Sequence, residues 1–225
     1  MKMKKMMVAA VAVVALGAFA QESEETDSSP AWRLTVGGFG RGSMTMRPAD
    51  MPGRRFEMYG ADADVQFRIC DEEKFNLWTG VGFGWAPNQR IYDKTRIAGI
   101  AYNRAKDELQ CGELRLLAVP EWKATESLAL GLRLGAALDW TRCKALTEGG
   151  VPPFFAFSDN ETYTQLLVQG IVGFQGTYMF TDNFGLYAAI DWRGGGEHAL
   201  KKNHVGYGKL DMDGWYASGG MLLAF

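Results

Sequence analysis

From Trp32 to the final residue the chain alternates between apolar and polar positions with a period of two, the repeat of a β-strand. The clearest run is Tyr59 to Ile69, where Tyr59, Ala61, Ala63, Val65, Phe67 and Ile69 interleave with Gly60, Asp62, Asp64, Gln66 and Arg68. Phe75 to Trp85, Glu113 to Lys123, Leu128 to Trp140, Gln165 to Phe180 and Phe184 to Arg193 repeat the pattern, and Trp32 to Met46 is its least regular instance. The closing run, Asp211 to Phe225, places Trp215, Ala217, Gly219, Met221, Leu223 and Phe225 on one face and ends on an aromatic. Eight strands are predicted.

The connections alternate in length. Short turns stand at Asp71 to Lys74, Ala124 to Glu126 and Thr181 to Asn183, the last with the side-chain chemistry of an Asx turn. Long loops are predicted after the first, third, fifth and seventh strands, including residues 86–108, 141–161 and 194–209. A hairpin that keeps one face outward needs equal parity on both sides of its turn, and Ile69 with Phe75, Trp122 with Leu128, and Phe180 with Phe184 satisfy this. Aromatics mark both ends of the strands: Trp32, Phe75, Trp122, Tyr178, Phe180, Phe184 and Phe225 at the short-turn end, and Tyr59, Trp85, Trp140, Trp192 and Trp215 at the other. Ten residues separate the two sets on a strand, about 33 Å of chain and roughly 25 Å of height at the usual tilt, the thickness of a membrane's apolar band. A soluble sandwich or a lipocalin-like barrel also alternates, but it has no use for Leu and Trp on the outward face of every strand. The predicted fold is all-β, an eight-stranded antiparallel up-and-down transmembrane β-barrel.

The N-terminus adds a compartment. Lys2, Lys4 and Lys5 precede an uncharged run from Met6 to Ala20 that ends in Ala18-Phe19-Ala20, the form of a secretory signal peptide and too short for a spanning helix. Residues 1–20 are read as that signal, 21–30 as a disordered acidic periplasmic tail, and 31–225 as the barrel. Without the signal the chain holds 21 basic and 26 acidic residues, a net charge of −5, four of the acids lying in the tail. A near-neutral barrel body excludes a nucleic-acid binder, which needs a strongly basic face.

With the apolar face turned to lipid, the other face fills the lumen. It carries Arg33, Arg41, Asp62, Asp64, Arg68, Glu113, Arg115, Glu121, Lys123, Arg133, Asp139, Asp191 and Arg193, with several glutamines. Eight strands enclose a space just wide enough for side chains, so charges of both signs are expected to pair across the axis and plug it. The alternative use of the same groups is a narrow ion path. A conduit for apolar molecules is disfavoured by so polar a lumen.

Outside the strands, Arg90, Lys94, Arg96, Arg104, Lys106, Lys201 and Lys202 make the outer loops basic, with Tyr92 and Tyr102 between them and Arg47, Arg54, Arg55 and Lys209 nearby. Such a rim suits the phosphates of lipopolysaccharide, or an anionic glycan or host ligand. His198 and His204 share the last loop with Glu197, but no serine accompanies them and the spacing fits no standard metal motif, so neither a catalytic site nor a metal or other cofactor is expected. Cys111 and Cys143 fall near the same end of neighbouring strands, close enough for a possible disulfide in an oxidising compartment, whereas Cys70 lies at the opposite end.

Two segments, Met179-Phe180-Thr181-Asp182-Asn183-Phe184-Gly185-Leu186-Tyr187 and the terminal Met221 to Phe225, resemble the last turn and closing strand of small outer-membrane barrels of the OmpA/OmpX and opacity-protein type. The resemblance spans about residues 31–225. It implies a bacterial outer-membrane location, both termini in the periplasm, insertion by the barrel assembly machinery, and contact with outer-membrane lipid. No peptidoglycan-binding domain follows the barrel in this sequence, so cell-wall tethering does not carry over. The expected function is non-enzymatic: a monomeric surface barrel serving envelope integrity or attachment. A narrow pore for small solutes is the alternative, followed by a lipid A-modifying rim enzyme.

Overall fold

The computed structural model describes residues 31–48, 54–97, 101–151, 155–195, 197–202 and 205–225; the signal-peptide and tail expectations lie outside them. Ten strands appear in chain order: β1 Trp32–Pro48, β2 Arg54–Asp71, β3 Phe75–Ile97, β4 Ala101–Lys123, β5 Leu128–Val151, β6 Phe155–Met179, β7 Phe184–Gly194, β8 Glu197–Lys202, β9 Val205–Asp211 and β10 Gly214–Ala224. β1 to β7 pair with their sequence neighbours, all antiparallel, and β10 pairs with both β7 and β1. The sheet therefore closes on itself as an eight-stranded barrel. β8 and β9 form a hairpin that leans on the far end of β1.

The closing seam brings Trp32 and Phe225 together. Trp32 N–H donates to the Phe225 carbonyl at 3.1 Å, Phe225 N–H returns the bond at 2.9 Å, and the two rings stack with centroids 4.2 Å apart. Two of the three short turns are held by side-chain hydroxyls: Thr125 Oγ1 accepts from Leu128 N–H at 3.0 Å and Thr181 Oγ1 from Phe184 N–H at 3.1 Å. Nearby, Asn183 Nδ2 donates to the Ala224 carbonyl at 2.9 Å, tying the last turn to the closing strand.

Outward positions carry a continuous apolar exterior. On β6, Val168 is 65% exposed and its neighbour Leu167 only 1%. In two of the three parity tests, Ile69 with Phe75 and Phe180 with Phe184, both residues are exposed; in the third, Trp122 is exposed and Leu128 half-buried. At the end away from the turns, Trp192 and Trp215 sit directly opposite on β7 and β10 and meet edge to face at 4.9 Å.

The strands run much further than the sequence pattern predicts. The segments 86–108 and 141–161, expected as loops, are strand for most of their length: β3 pairs with β4 as far as Ile97 and Ala101, and β5 with β6 as far as Val151 and Phe155. β6 has 25 residues, against the 9 to 11 that cross a bilayer. The barrel wall continues upward as a collar, and the 194–209 segment contributes the β8–β9 hairpin, set off from β7 at Gly195, whose φ of 97° suits glycine.

Two bulges at the base of the collar reverse which parity faces inward. Arg41 pairs with Met58 but Met44 with Phe56, with Ser43 at φ 69° between them. Ala86 pairs with Cys111 but Gln89 with Leu109, the irregular stretch containing Pro87, a residue that belongs at bulges because it cannot donate to the ladder.

Candidate functional site

The candidate site is the lumen, filled from the turn end upward in layers. At the bottom, Arg33 on β1 donates from Nε to Gln66 Oε1 and from Nη1 to Glu121 Oε2, each at 2.8 Å, and its guanidinium lies 4.2 Å from the centre of the Trp78 ring. Trp78 in turn donates its indole N–H to Glu121 Oε1 at 3.2 Å. The same carboxylate thus holds both partners of a cation–π pair.

The middle layer turns on Arg115 from β4. Its Nη2 donates to Asp64 Oδ1 at 2.7 Å, and its Nη1 donates to Asp62 Oδ2 at 3.1 Å and to the Tyr216 hydroxyl at 2.7 Å. The Tyr216 hydroxyl in turn donates a hydrogen bond to Asp62 Oδ2 at 3.0 Å, and Tyr187 donates to the other oxygen of that carboxylate at 3.1 Å. Arg133 Nε lies 3.0 Å from Asp191, while its Nη1 donates to Gln175 at 2.9 Å. Gly82 opens the space for this cluster, because a Cβ there would meet the Asp64 carboxylate and Arg115 Nε.

Above it, Arg193 ion-pairs with Glu113 and lies over the Tyr216 ring, 3.5 Å from its centre. Arg41 donates to Asp139 Oδ2 at 2.7 Å, to Gln169 Oε1 and to the Met212 carbonyl at 2.5 Å. Among the described residues five arginines and six carboxylates are buried in this network, so the lumen has almost no net charge to select an ion by sign. Buried carboxylates and guanidinium groups are tolerable only when paired in this way.

A feature outside the sequence reading caps the network at the collar end. Met44, Met58, Leu109, Tyr163, Leu167, Leu210 and Met212 pack with Cys111, Cys143, Phe56 and Ala86 into one buried apolar cluster, against which Phe39 leans. The β1 bulge turns Met44 inward, whereas Ala86 pairs with Cys111 ahead of the β3 bulge, and Leu109 and Cys111 share the inward parity of β4. The lumen, expected to be polar throughout, is polar only in its lower part.

The predicted residues divide accordingly. Arg33, Arg41, Asp62, Asp64, Glu113, Arg115, Glu121, Arg133, Asp139, Asp191 and Arg193 are all buried inside the barrel. Arg68 and Lys123 instead sit at the turn-end rim, where both pair with Asp71 at 2.9 Å. Tyr187, Tyr216, Gln66, Gln169 and Gln175 complete the network; their inward parity was the available signal. Cys111 and Cys143 share the apolar cap but no disulfide joins them. Cys143 is directly opposite Leu109 rather than Cys111, which pairs with Thr141, so the two thiols stand on a diagonal. Arg90, Lys94, Arg96, Arg104 and Lys106 belong to the strands of the collar, and Lys201 and Lys202 to β8, rather than to loops. His198 lies in β8, opposite Leu210; His204 falls outside the described residues.

No protein-family model and no curated protein matches this sequence. Among solved structures the chain is similar to Neisserial surface protein A at 12% identity, covering 88% of this chain and 100% of that one, with a TM-score of 0.49. It is also similar to a major outer membrane protein from Thermus thermophilus, at 10% identity over 86% of this chain and 99% of that one, TM-score 0.48. The outer membrane protein OprG from Pseudomonas aeruginosa matches at 13% identity over 89% of this chain and 99% of that one, TM-score 0.44. The chain's own strand pairing makes its fold a closed eight-stranded antiparallel barrel.

Proposed function

We propose that this chain is a non-enzymatic barrel of the bacterial outer membrane, with a plugged lumen, which serves envelope integrity and surface attachment through its collar. The short turns and both chain ends stand on the periplasmic side and the collar outside, the arrangement usual for such barrels. The observation that carries the reading is the filled lumen: a lattice of buried ion pairs spanning the barrel, roofed by an apolar cluster. A pore needs a continuous polar path, and the roof interrupts it. The apolar exterior supports residence in lipid, where a closed barrel is the one β-structure that leaves no backbone group unpaired. The expected partners are outer-membrane lipid and the barrel assembly machinery, with the chain acting as a monomer and without a cofactor.

The test is a strain lacking the gene. Loss of the barrel is expected to raise sensitivity to detergents and large antibiotics while leaving the lipid A mass spectrum unchanged. A lipid A species that disappears with the gene would overturn the non-enzymatic assignment. Unchanged detergent sensitivity together with unchanged attachment to host cells would overturn the rest.

A further inference from the structure

The roof of the lumen concentrates sulfur. Met44, Met58 and Met212 supply three thioethers and Cys111 and Cys143 two thiols to one buried cluster, each of these residues at most 5% exposed. A second apolar cluster lower in the lumen, Trp78, Leu117, Val119, Ala137 and Ile171, contains no sulfur. Filling space therefore does not require it. The donors come from different sides of the barrel: the cysteines from the neighbouring strands β4 and β5, Met44 and Met58 from β1 and β2, and Met212 from the link between β9 and β10. Side chains do meet across the lumen at this height. Arg41, paired with Met58, reaches Asp139 on β5 at 2.7 Å, and the next inward pair above Asp139 is Thr141 with Cys111. The Met212 carbonyl accepts from Arg41 Nη2 at 2.5 Å and from Gln169 Nε2 at 3.1 Å, which fixes that residue beside Arg41.

Thioethers and thiolates are soft, polarisable donors, which select a monovalent soft ion over magnesium or calcium. Among the described residues no group of three or more histidine, cysteine or carboxylate side chains is placed to hold a metal, so a harder ion finds no such donor set. Charge narrows the choice further. Among the described residues five buried arginines already face six buried carboxylates in the lumen, so no cation is left over to offset an anionic complex. One thiolate with neutral sulfurs around a monovalent ion adds no charge. Binding then breaks one S–H bond, forms one S–metal bond and releases one proton to solvent.

We propose that the roof is a binding site for a monovalent soft metal ion, held by Cys111 and Cys143 with thioethers from Met44, Met58 and Met212. The ion is a captured ligand and not a cofactor of the role proposed above, and the site rests on the packing of the roof rather than on the membrane location. Silver(I) is the probe, because it needs no reductant. The full chain is refolded in detergent with silver nitrate in chloride-free buffer and washed with excess free methionine. Retained silver is measured by elemental mass spectrometry, and heat-dependent gel migration verifies the fold. The native chain and Cys70→Ser are expected to keep about one ion each, and Cys111→Ala with Cys143→Ala less than about a tenth of that. Met44→Leu, Met58→Leu and Met212→Leu together preserve the volume of the roof and weaken retention at least about tenfold against the same wash. This leucine variant also decides the question where the cysteine variant does not fold. No retention by the native chain, loss with Cys70→Ser, equal retention by the double cysteine variant or undiminished retention in the leucine variant would each overturn the proposal. Displacement of the silver by an excess of zinc(II) would do so as well.

Discussion

Arg41 on β1 donates to Asp139 on β5 over 2.7 Å, and these strands stand on opposite sides of the barrel, four strands apart in either direction. One ion pair therefore spans the full width of the lumen. Both side chains are buried, so removing one partner leaves the other charged and uncompensated. Asp139→Ala is expected to lower the unfolding free energy in vesicles by about 3 kcal/mol or more, and Arg41→Met combined with Asp139→Leu to recover most of that loss. Urea titration followed by tryptophan fluorescence measures both. A single variant as stable as the native protein would mean that the pair does not brace the barrel.

Space in the lumen is rationed by glycine at particular positions. A Cβ at Gly37 would collide with the Gly219 carbonyl and the Tyr187 hydroxyl, whereas one at the adjacent Gly38 would lie an ordinary 3.6 Å from the Gly60 carbonyl. Gly37→Ala is expected to cost roughly 2 kcal/mol by overpacking and Gly38→Ala less than half of that. Equal stability of the two variants in the urea titration would contradict the packing described for the middle layer.

How much of this was legible beforehand depends on whether an apolar face was present to reveal the period. Between the girdles it was: Tyr59 to Ile69 alternates without a break, and the inward positions named from it, Asp62 and Asp64, are buried. In the collar neither face is apolar, so residues 86–108 look like a charged loop although Arg90, Lys94 and Arg96 fall on alternate positions of a strand. The bulges at Arg41/Met44 and Ala86/Gln89 leave no parity signature either, because each changes the period by a single residue. For that reason the cap of Met44, Met58 and Met212 was only partly legible: Met44 lies beyond one bulge and Met58 just outside the run read from Tyr59, whereas Met212 stands on the inward parity of the closing run.

Lipid contact gives a third prediction. Val172 is 54% exposed midway along the part of β6 between Tyr178 and Leu166. Val172→Arg is expected to cost about 2–4 kcal/mol in a bilayer, the penalty for a cation at the membrane midplane. A soluble protein would tolerate this exposed substitution. Refolding yields and urea midpoints that match the native protein would contradict the assigned membrane band.

The thiols supply a fourth. Cys111 and Cys143 are buried in the cap and Cys70 is half-buried at the turn end. Mass spectrometry after maleimide treatment should show at most one adduct on the folded barrel and three on the unfolded chain. Two or three adducts on the folded protein would mean that the cap is open to solvent.

The plugged lumen is tested most directly by single-channel recording of the native protein in a planar bilayer. With insertion verified by heat-dependent gel migration, the current is expected to stay flat at every applied voltage, because the Arg41–Asp139 pair and the Arg115 cluster lie under an apolar roof. Discrete, reproducible conductance steps from the folded native protein would contradict the account.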